Sequence, residues 1–415
     1  MSVLDTQKAK PLFSIGESMR SAARDYGKSI PSQLIEMAIL GAATGKLTPK
    51  DYFFYALYDD RKFTLQEKKR FIGQAAQKAM NRICNDLEWL KLVNDKIAFA
   101  QHFQERGFPV ARILAAYHMQ MDMRMAFAPM IALRTPGEMR AFLERTSYPL
   151  FSKPVRGRDS LGAARLEAYD ETSNELVLGD VRRVGIDRFV DEAVQFKDGY
   201  IFQEVLHPHP DIAAICGDRI ANVRMVVVLG DGGPELLRAL WKIPVGSNIA
   251  DNSWRGNFIG SLDMETGRVL RATQGIGLKR REFDAHPDTG RIIKGTTLPQ
   301  WAAAKALCFE AAKTMPGLRL QAWDMSICNS GPVLGEVNFG GDYYLPQLAA
   351  DRGMLDAKFV RLLDSRSHSW KTTVSLSVIR QRLGRCVHGL KTRALRPLSL
   401  ATIGPEAKAS SPSIA

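Results

Sequence analysis

Leu320-Gln-Ala-Trp-Asp324-Met-Ser-Ile-Cys328 and Val333-Leu-Gly-Glu336-Val-Asn338 flank the turn residues Asn329-Ser-Gly331. Both runs are short, rich in apolar residues and bounded by turn formers, so each reads as a β-strand. A three-residue loop closing on glycine is a common hairpin connection. With Ser330 at its apex, Asp324 falls opposite Glu336. Asn338, two residues further on, points to the same side as Glu336. Facing side chains on paired strands lie about 5 Å apart, and two carboxylates held that way repel. A bound divalent cation reverses the cost, and hard oxygen ligands are what Mg²⁺ takes. Asp324, Glu336 and Asn338 are therefore the expected metal ligands, with Trp323, Met325, Leu334 and Val337 as their buried neighbours. A solvent-facing hairpin with incidental acids is the competing reading.

Further upstream, Phe151-Ser-Lys153-Pro-Val-Arg-Gly157-Arg-Asp-Ser-Leu-Gly162 puts a lysine at a strand end and two glycines in the loop after it. Such a loop can lay backbone N–H groups over phosphates while the lysine supplies a point charge. It is not a P-loop, because Ala163-Ala164 stand where Lys-Ser/Thr is required. Tyr200-Ile-Phe-Gln203-Glu204-Val-Leu206 is an apolar strand ending in hydrogen-bonding groups, the mixture an adenine site needs. A plain strand end with a solvated glutamate is the alternative there. Arg224 lies inside the apolar run Asn222–Leu229 and needs an anionic partner, either a phosphate or carboxylate substrate or a structural acid. Lys242, in Leu240-Trp-Lys-Ile243, poses the same question. His207 and His209 alternate with Pro208 and Pro210, which fits a stiff extended linker better than a metal site.

Outside these motifs the chain divides into three parts. Residues 1–92 read as helical, from apolar positions such as Phe53, Leu57, Phe71, Ala75, Ile83 and Leu87 at three- and four-residue spacing. Thr64 with Glu67 resembles a capping box. Residues 93–364 alternate strands and helices. The strands are expected at Tyr148–Lys153, Ala163–Tyr169, Tyr200–Val205, Asn222–Leu229 and in a hairpin over Asn257–Arg271, with helices at Asp95–Arg106, Ile186–Phe196 and Pro299–Thr314. Residues 365–415 form a basic tail, partly helical and then Ser/Pro-rich. The net charge is +13, but the tail holds nine Lys or Arg against one acid, leaving the body only mildly basic. That distribution argues against a nucleic-acid partner. In the tail, Arg380, Arg382, Arg385, Lys391, Arg393 and Arg396 interleave with leucine, valine and isoleucine, which suits peripheral contact with an anionic membrane. The five cysteines are scattered without metal spacing, no run reaches the ~20 apolar residues of a membrane span, and the first residues carry no signal pattern; a cytoplasmic location is the expectation.

In their order along the chain these signals resemble the ATP-grasp superfamily. Asp95-Lys96 followed by a helix and Gly107-Phe-Pro109 is similar to its first nucleotide lysine, and Lys153 with its glycine loop to its second. Phe202-Gln-Glu204 is similar to the hinge strand that holds adenine, Asn222-Val-Arg224 to the arginine near the transferred phosphate, and Trp323-Asp324 with Gly335-Glu-Val-Asn338 to the metal signature. More narrowly, His207-Pro-His-Pro210, Asp251-Asn252 and Gly256-Asn-Phe-Ile-Gly-Ser-Leu-Asp263 resemble the sugar-transfer-associated ATP-grasp proteins, relatives of alpha-L-glutamate ligases. The resemblance implies an α+β fold of two subdomains gripping ATP, preceded here by helices where the usual Rossmann-like domain is not apparent. It implies Mg²⁺ and ATP as cofactors, with Lys96, Lys153, Gly157, Gly162, Gln203, Glu204 and Leu206 on the nucleotide, and Asp211 or His207 on its ribose. Arg224 and Lys242 would act at the reacting groups. The chemistry implied is activation of a substrate carboxylate as an acylphosphate and its transfer to an amine or sugar-linked acceptor, in a setting such as polysaccharide assembly. A kinase-like ATP-grasp enzyme and a non-catalytic nucleotide- or polyanion-binding protein are the rivals.

Overall fold

The computed structural model describes residues 3–4, 14–118, 130–157, 160–246, 248 and 256–381. Seven helices come first: α1 (Ile15–Tyr26), α2 (Ile30–Ala42), α3 (Pro49–Phe54), α4 (Leu65–Lys68), α5 (Gln74–Cys84), α6 (Leu90–Asn94) and α7 (Lys96–Gln104). Local chemistry sets most of their starts. Ser14, Ser29 and Thr48 accept the first-turn N–H groups of α1, α2 and α3, and Thr64 and Glu67 form the expected capping box of α4. Asp95 caps α7 through the N–H groups of Ile97 and Ala98, which fixes Lys96 at its first position.

Two seven-stranded sheets follow. The first contains β1 (Ile113–Tyr117), β2 (Ile131–Leu133), β3 (Leu150–Pro154), β4 (Ala164–Asp170), β5 (Glu175–Leu178), β6 (Arg183–Gly185) and β7 (Tyr200–Glu204), in the order β2-β1-β7-β3-β4-β5-β6. Only β1 and β2 pair in parallel. Helices α8 (Pro136–Arg145) and α9 (Ile186–Ala193) pack on it through Met139, Leu143, Phe189 and Val190. After α10 (Pro210–Cys216) comes the second sheet, built from β8 (Val223–Gly230), β9 (Gly233–Ile243), β10 (Phe258–Leu262), β11 (Val269–Gln274), β12 (Arg281–Phe283), β13 (Leu320–Cys328) and β14 (Gly331–Phe339). It is antiparallel throughout, in the order β12-β11-β10-β9-β8-β13-β14. Helix α11 (Trp301–Lys313) precedes β13, and α12 (Tyr344–Ala350) and α13 (Ala357–Arg366) follow β14.

The second sheet is covered on both faces, and strand alternation decides which residue goes where. Val223, Met225 and Val227 of β8 join Trp323 and Met325 under α11, α10 and α7. Val226 and Val228 point the other way with Leu320 and Ala322, against Ala76, Ala79 and Met80 of α5 and Phe359 of α13. On the same side Leu240 and Ile259 meet Tyr52, Phe53 and Leu57 of the N-terminal helices. The helices that stand in place of a Rossmann-like domain thus share a core with the second sheet. Gln347 of α12 ties them further: fully buried, it accepts from the N–H of Ile72 at 2.8 Å and donates to the carbonyl of Ile72 at 3.0 Å and to the Tyr55 hydroxyl at 2.9 Å.

Every strand expected from the sequence is present within two residues at either end, except that the second strand of the Asn257–Arg271 hairpin runs on to Gln274. Most of the strands that were not expected are short or polar: β2, β6 and β12 have three residues each, β5 has four, and β9 opens on Gly-Pro-Glu and carries Arg238 and Lys242 among its apolar residues; the apolar β1 is the exception. Helix α13 runs through residue 365, where the tail was expected to begin, to Arg366, and residues 370–381 are helical. Trp370 and Val374 are buried in the core that contains α5 and α13, and Val378, four residues further on, is buried too, while Leu376 and Ile379 are exposed. Arg382, Arg385, Lys391, Arg393 and Arg396 lie outside the described residues. None of the described helices is long and apolar enough to cross a membrane.

Candidate active site

One cleft of about 2300 Å³ is lined by both sheets and by the N-terminal helices. Its floor is a charged row across three neighbouring strands. Arg224 on β8 pairs in register with Asp324 on β13, and Asp324 with Glu336 on β14. The Arg224 guanidinium grips Asp324 bidentately, Nε to Oδ1 at 2.8 Å and Nη2 to Oδ2 at 2.6 Å. Lys242, from β9, donates to the same Oδ2 at 3.0 Å. The remaining reach of Arg224, through Nη1, goes to Asp342 at 2.7 Å. Burial by itself would raise the Asp324 carboxyl, but Arg224 and then Lys242 outweigh it and hold it well below the usual carboxylate range. For Arg224, burial opposes the charge, and Asp324 overcomes it and raises the guanidinium further.

The facing of Asp324 and Glu336 agrees with the sequence reading, but by another route. The turn is tighter than expected: Cys328 pairs with Gly331, leaving Asn329-Ser330 as a two-residue loop. The register then shifts between Asp324 and Met325, where β14 carries an extra residue at Gly335. A shorter loop and a bulge offset each other, restoring the pair. Gly335 is required there, since a Cβ would sit 2.9 Å from the Asp324 carbonyl oxygen. The expected repulsion between the two acids is also corrected. Asp324 is neutralised by the protein's own cations, and about three of its four acceptor directions are filled, so in this structure its partners are Arg224 and Lys242. Glu336 is half-buried, and Asn338 makes a single long contact of 3.4 Å to the Ala322 carbonyl. Among the described residues no three His, Cys, Asp or Glu side chains converge as a metal cluster.

Across the cleft, β3 alternates: Leu150, Ser152 and Pro154 go into the core, and Phe151 and Lys153 face outward. Lys153 pairs in register with Ile201 of β7, and its Nζ lies 5.8 Å from the Phe151 ring centre. Its ammonium makes no hydrogen bond or ion pair among the described residues. Burial, and then repulsion from Lys96, push its ammonium down to about 8, with Glu336 opposing. Lys96 stands at the start of α7, its Nζ 3.4 Å from the carbonyls of Val155 and Gly157, and burial lowers its pKa too. Two lysines crowd one site, with Glu336 the acid whose charge acts most on both, a field suited to a polyanion. Ile113, Phe151 and Ile201 from the first sheet and Leu334 and Val337 from the second give the cleft apolar walls, with Gln203, Glu204 and Leu206 at one end. The Glu204 carboxylate accepts from the Arg112 N–H at 2.8 Å.

Gly157 lines the cleft, while Arg158 and Asp159 lie outside the described residues. Two expected positions fall elsewhere. Gly162 is outside the lining, and its φ of +74° and the Phe196 ring, 2.4 Å from where a Cβ would stand, show that packing demands the glycine. Asp211 is exposed in the first turn of α10 beside His209, the residue that caps this helix, and it too is outside the lining. His207 is exposed next to Asp218. Sequence reasoning missed Asp342, which completes the Arg224 coordination, and the polar face of α5. The traces were Gly340-Gly341 ahead of Asp342 and the helical spacing of Gln74, Gln77, Lys78, Asn81 and Arg82.

Residues 180–360 match the model of the family described as sugar-transfer associated ATP-grasp. No curated protein matches the sequence. Among solved structures, the chain is similar to the VanG D-Ala:D-Ser ligase of Enterococcus faecalis, with 16% identity and a TM-score of 0.37 over 69% of this chain and 64% of that one. It is similar to the D-alanine-D-alanine ligase of Coxiella burnetii, with 13% identity and a TM-score of 0.38 over 74% and 64%. A biotin carboxylase–ATP analogue complex from Campylobacter jejuni follows, with 10% identity and a TM-score of 0.40 over 68% and 48%. The chain therefore spans about half to two thirds of the length of these structures.

Proposed function

We propose that the protein is an ATP-dependent ligase that activates a carboxylate and joins it to an amine or another nucleophile. The observation that carries this is the opposition, across one cleft, of the unpaired Lys153 with Lys96 to Glu336, beside an arginine fixed by Asp324. Lys96 and Lys153 take the phosphates, Gly157 brings backbone close to them, and Gln203, Glu204 and Leu206 meet the adenine between apolar walls. Glu336 and Asn338 fit as oxygen donors to Mg²⁺, and Asp324 has at most one acceptor direction left on Oδ1 for it. When bound, the cation would neutralise charge on the phosphates. Arg224, unable to swing because Asp324 and Asp342 hold it, presents a set charge to the phosphoryl group as the substrate carboxylate displaces ADP and becomes an acylphosphate. Lys242 supports that charge. The nucleophile then attacks the acyl carbon and releases phosphate. Catalysis of this kind is mostly positioning and charge neutralisation.

The test is an ADP-release screen over amino acids, amines and sugar acceptors, with product analysis. An acylated amine or ester supports the ligase; a phosphorylated acceptor would establish the kinase-like rival; nucleotide binding without turnover on any acceptor would leave the non-catalytic one. Mg²⁺–ATP should also raise the melting temperature by mass action, and ATP with EDTA much less. Residues 1–92 as a helical region, 93–364 as the ATP-grasp unit, a cytoplasmic location and a place in polysaccharide assembly belong to the same proposal. Membrane contact through the basic tail is tested by truncation after Gln381, which spares Trp370, Val374 and Val378. Loss of sedimentation with anionic liposomes at low salt, with turnover retained, is the expected result.

A further inference from the structure

The face of the second sheet that carries Arg224, Lys242 and Asp324 is the one the N-terminal helices cover. Helix α5 buries Ala75, Ala76, Ala79, Met80 and Cys84 and turns Gln74, Gln77, Lys78, Asn81 and Arg82 to the cleft. This polar face is pinned beside the strand that bears Glu336. Gln77 Nε2 donates to the Gly341 carbonyl at 3.0 Å and Asn81 Nδ2 to that of Phe339 at 3.4 Å, and a Cβ on Gly340 would lie 2.2 Å from Asn81. Helix α3 continues the wall with Lys50 and Phe54. Phe54 meets the Tyr344 ring at 4.7 Å between centres, the Tyr344 hydroxyl donates to Asp51 at 2.7 Å, and the Tyr344 N–H donates to Asp342, the partner of Arg224. The turn at Gly277–Lys279 adds Lys279, packed so close to α3 that a Cβ on Gly277 would stand 2.6 Å from the Phe53 carbonyl.

Lys50, Lys78 and Lys279 are exposed in this wall, and their side chains make no hydrogen bond or ion pair among the described residues. Arg156, Arg165, Arg219, Arg224 and Lys242, in the same lining, each have an acid within 4 Å. Like charges gathered in a concave wall raise the local concentration of anions. The nucleotide lysines, Lys96 and Lys153, belong to the opposite side. We propose that the wall of α3, α5 and the 277–279 turn binds the acceptor, and that the acceptor carries anionic groups, carboxylate or phosphate, besides the group that reacts. The role of the ligand rests on the ligase reading; its charge rests on the wall alone.

Full-length protein saturated with Mg²⁺ and a non-hydrolysable ATP analogue is titrated calorimetrically, at fixed ionic strength, with citrate, fructose 1,6-bisphosphate and fructose. At least one anionic probe binds and fructose does not; citrate alone marks a carboxylate acceptor, the bisphosphate alone a phosphorylated one. Lys50→Glu with Lys78→Glu weakens the anion at least ~10-fold and leaves the analogue's affinity unchanged. Arg145→Glu with Lys197→Glu, the same charge change outside the cleft, leaves both unchanged. The proposal is overturned if neither anion binds, if fructose binds as well, or if the Lys50/Lys78 variant binds anions like wild type. Failure to bind the analogue would count against the proposed function instead, and the same titration without analogue still decides the wall.

Discussion

The middle of the cleft floor and its margin toward Lys153 hold charges in opposite condition. On the floor, Arg224, Lys242, Asp324 and Asp342 are locked together, and Asp324 is 3% exposed. At the margin, Lys153 across the cleft and Glu336 at the β14 end of the floor make no side-chain hydrogen bond or ion pair among the described residues, and Lys153 is held against its own preference to be charged. The first set has spent its interactions within the protein, so it fixes geometry. The second keeps its interactions in reserve, which is what a binding group needs, because an ion already paired gains little from a ligand.

That contrast can be broken at its strongest point. Asp324→Asn leaves Arg224 and Lys242 without their shared carboxylate, and removing one partner of a buried network costs about 3 kcal/mol or more. Denaturant unfolding should show that loss, with turnover lost too; a variant as stable as wild type would mean the floor is not a lock. Glu336→Gln should do the reverse, lowering turnover about 100-fold while stability changes by less than about 1 kcal/mol. Retention of more than about a tenth of the activity would take Glu336 out of the site. Lys153→Met should weaken ATP binding ~10-fold or more, and unchanged ATP kinetics would reduce its loop to an ordinary turn.

The smallest effect sharpens the contrast through pH. Folded Lys153 loses its proton near 8, against 10.5 for an ordinary lysine. Between those values the unfolded chain binds more protons, so the unliganded protein gains stability as pH rises through that window. A phosphate at Nζ favours the ammonium, so affinity for Mg²⁺–ATP should fall over the same window. The slope should be largely absent in Lys153→Met; an identical slope in the variant would assign the titration elsewhere.

The strands and the facing acids were legible because alternation and turn residues are local signals. Asp324 opposite Glu336 was read correctly from a loop one residue too long, since nothing local announced that Gly335 would bulge. The partnership of Arg224 and Asp324, a hundred positions apart, needed the strand order β9-β8-β13-β14, which hairpin reasoning does not supply. An anion for Arg224 was anticipated, but whether protein or substrate supplied it was left open, and the structure answers with Asp324 and Asp342. The cleft face of α5 escaped because amphipathic spacing says which side is polar, not what it looks upon.

Gln347 carries a consequence for how the molecule melts. Its amide is satisfied by Ile72, Tyr55 and the N–H of Met354, so it bridges residues nearly three hundred positions apart with no solvent in between. Pulling the helical region from the second sheet would orphan the amide nitrogen in an apolar core, leave its oxygen only the Met354 N–H, and uncover the faces of β8 and β13 together. The two parts therefore have no separate melting point to show. Differential scanning calorimetry should give them one transition, and an amino-terminal deletion at residue 92 would yield not a minimal enzyme but an incomplete fold.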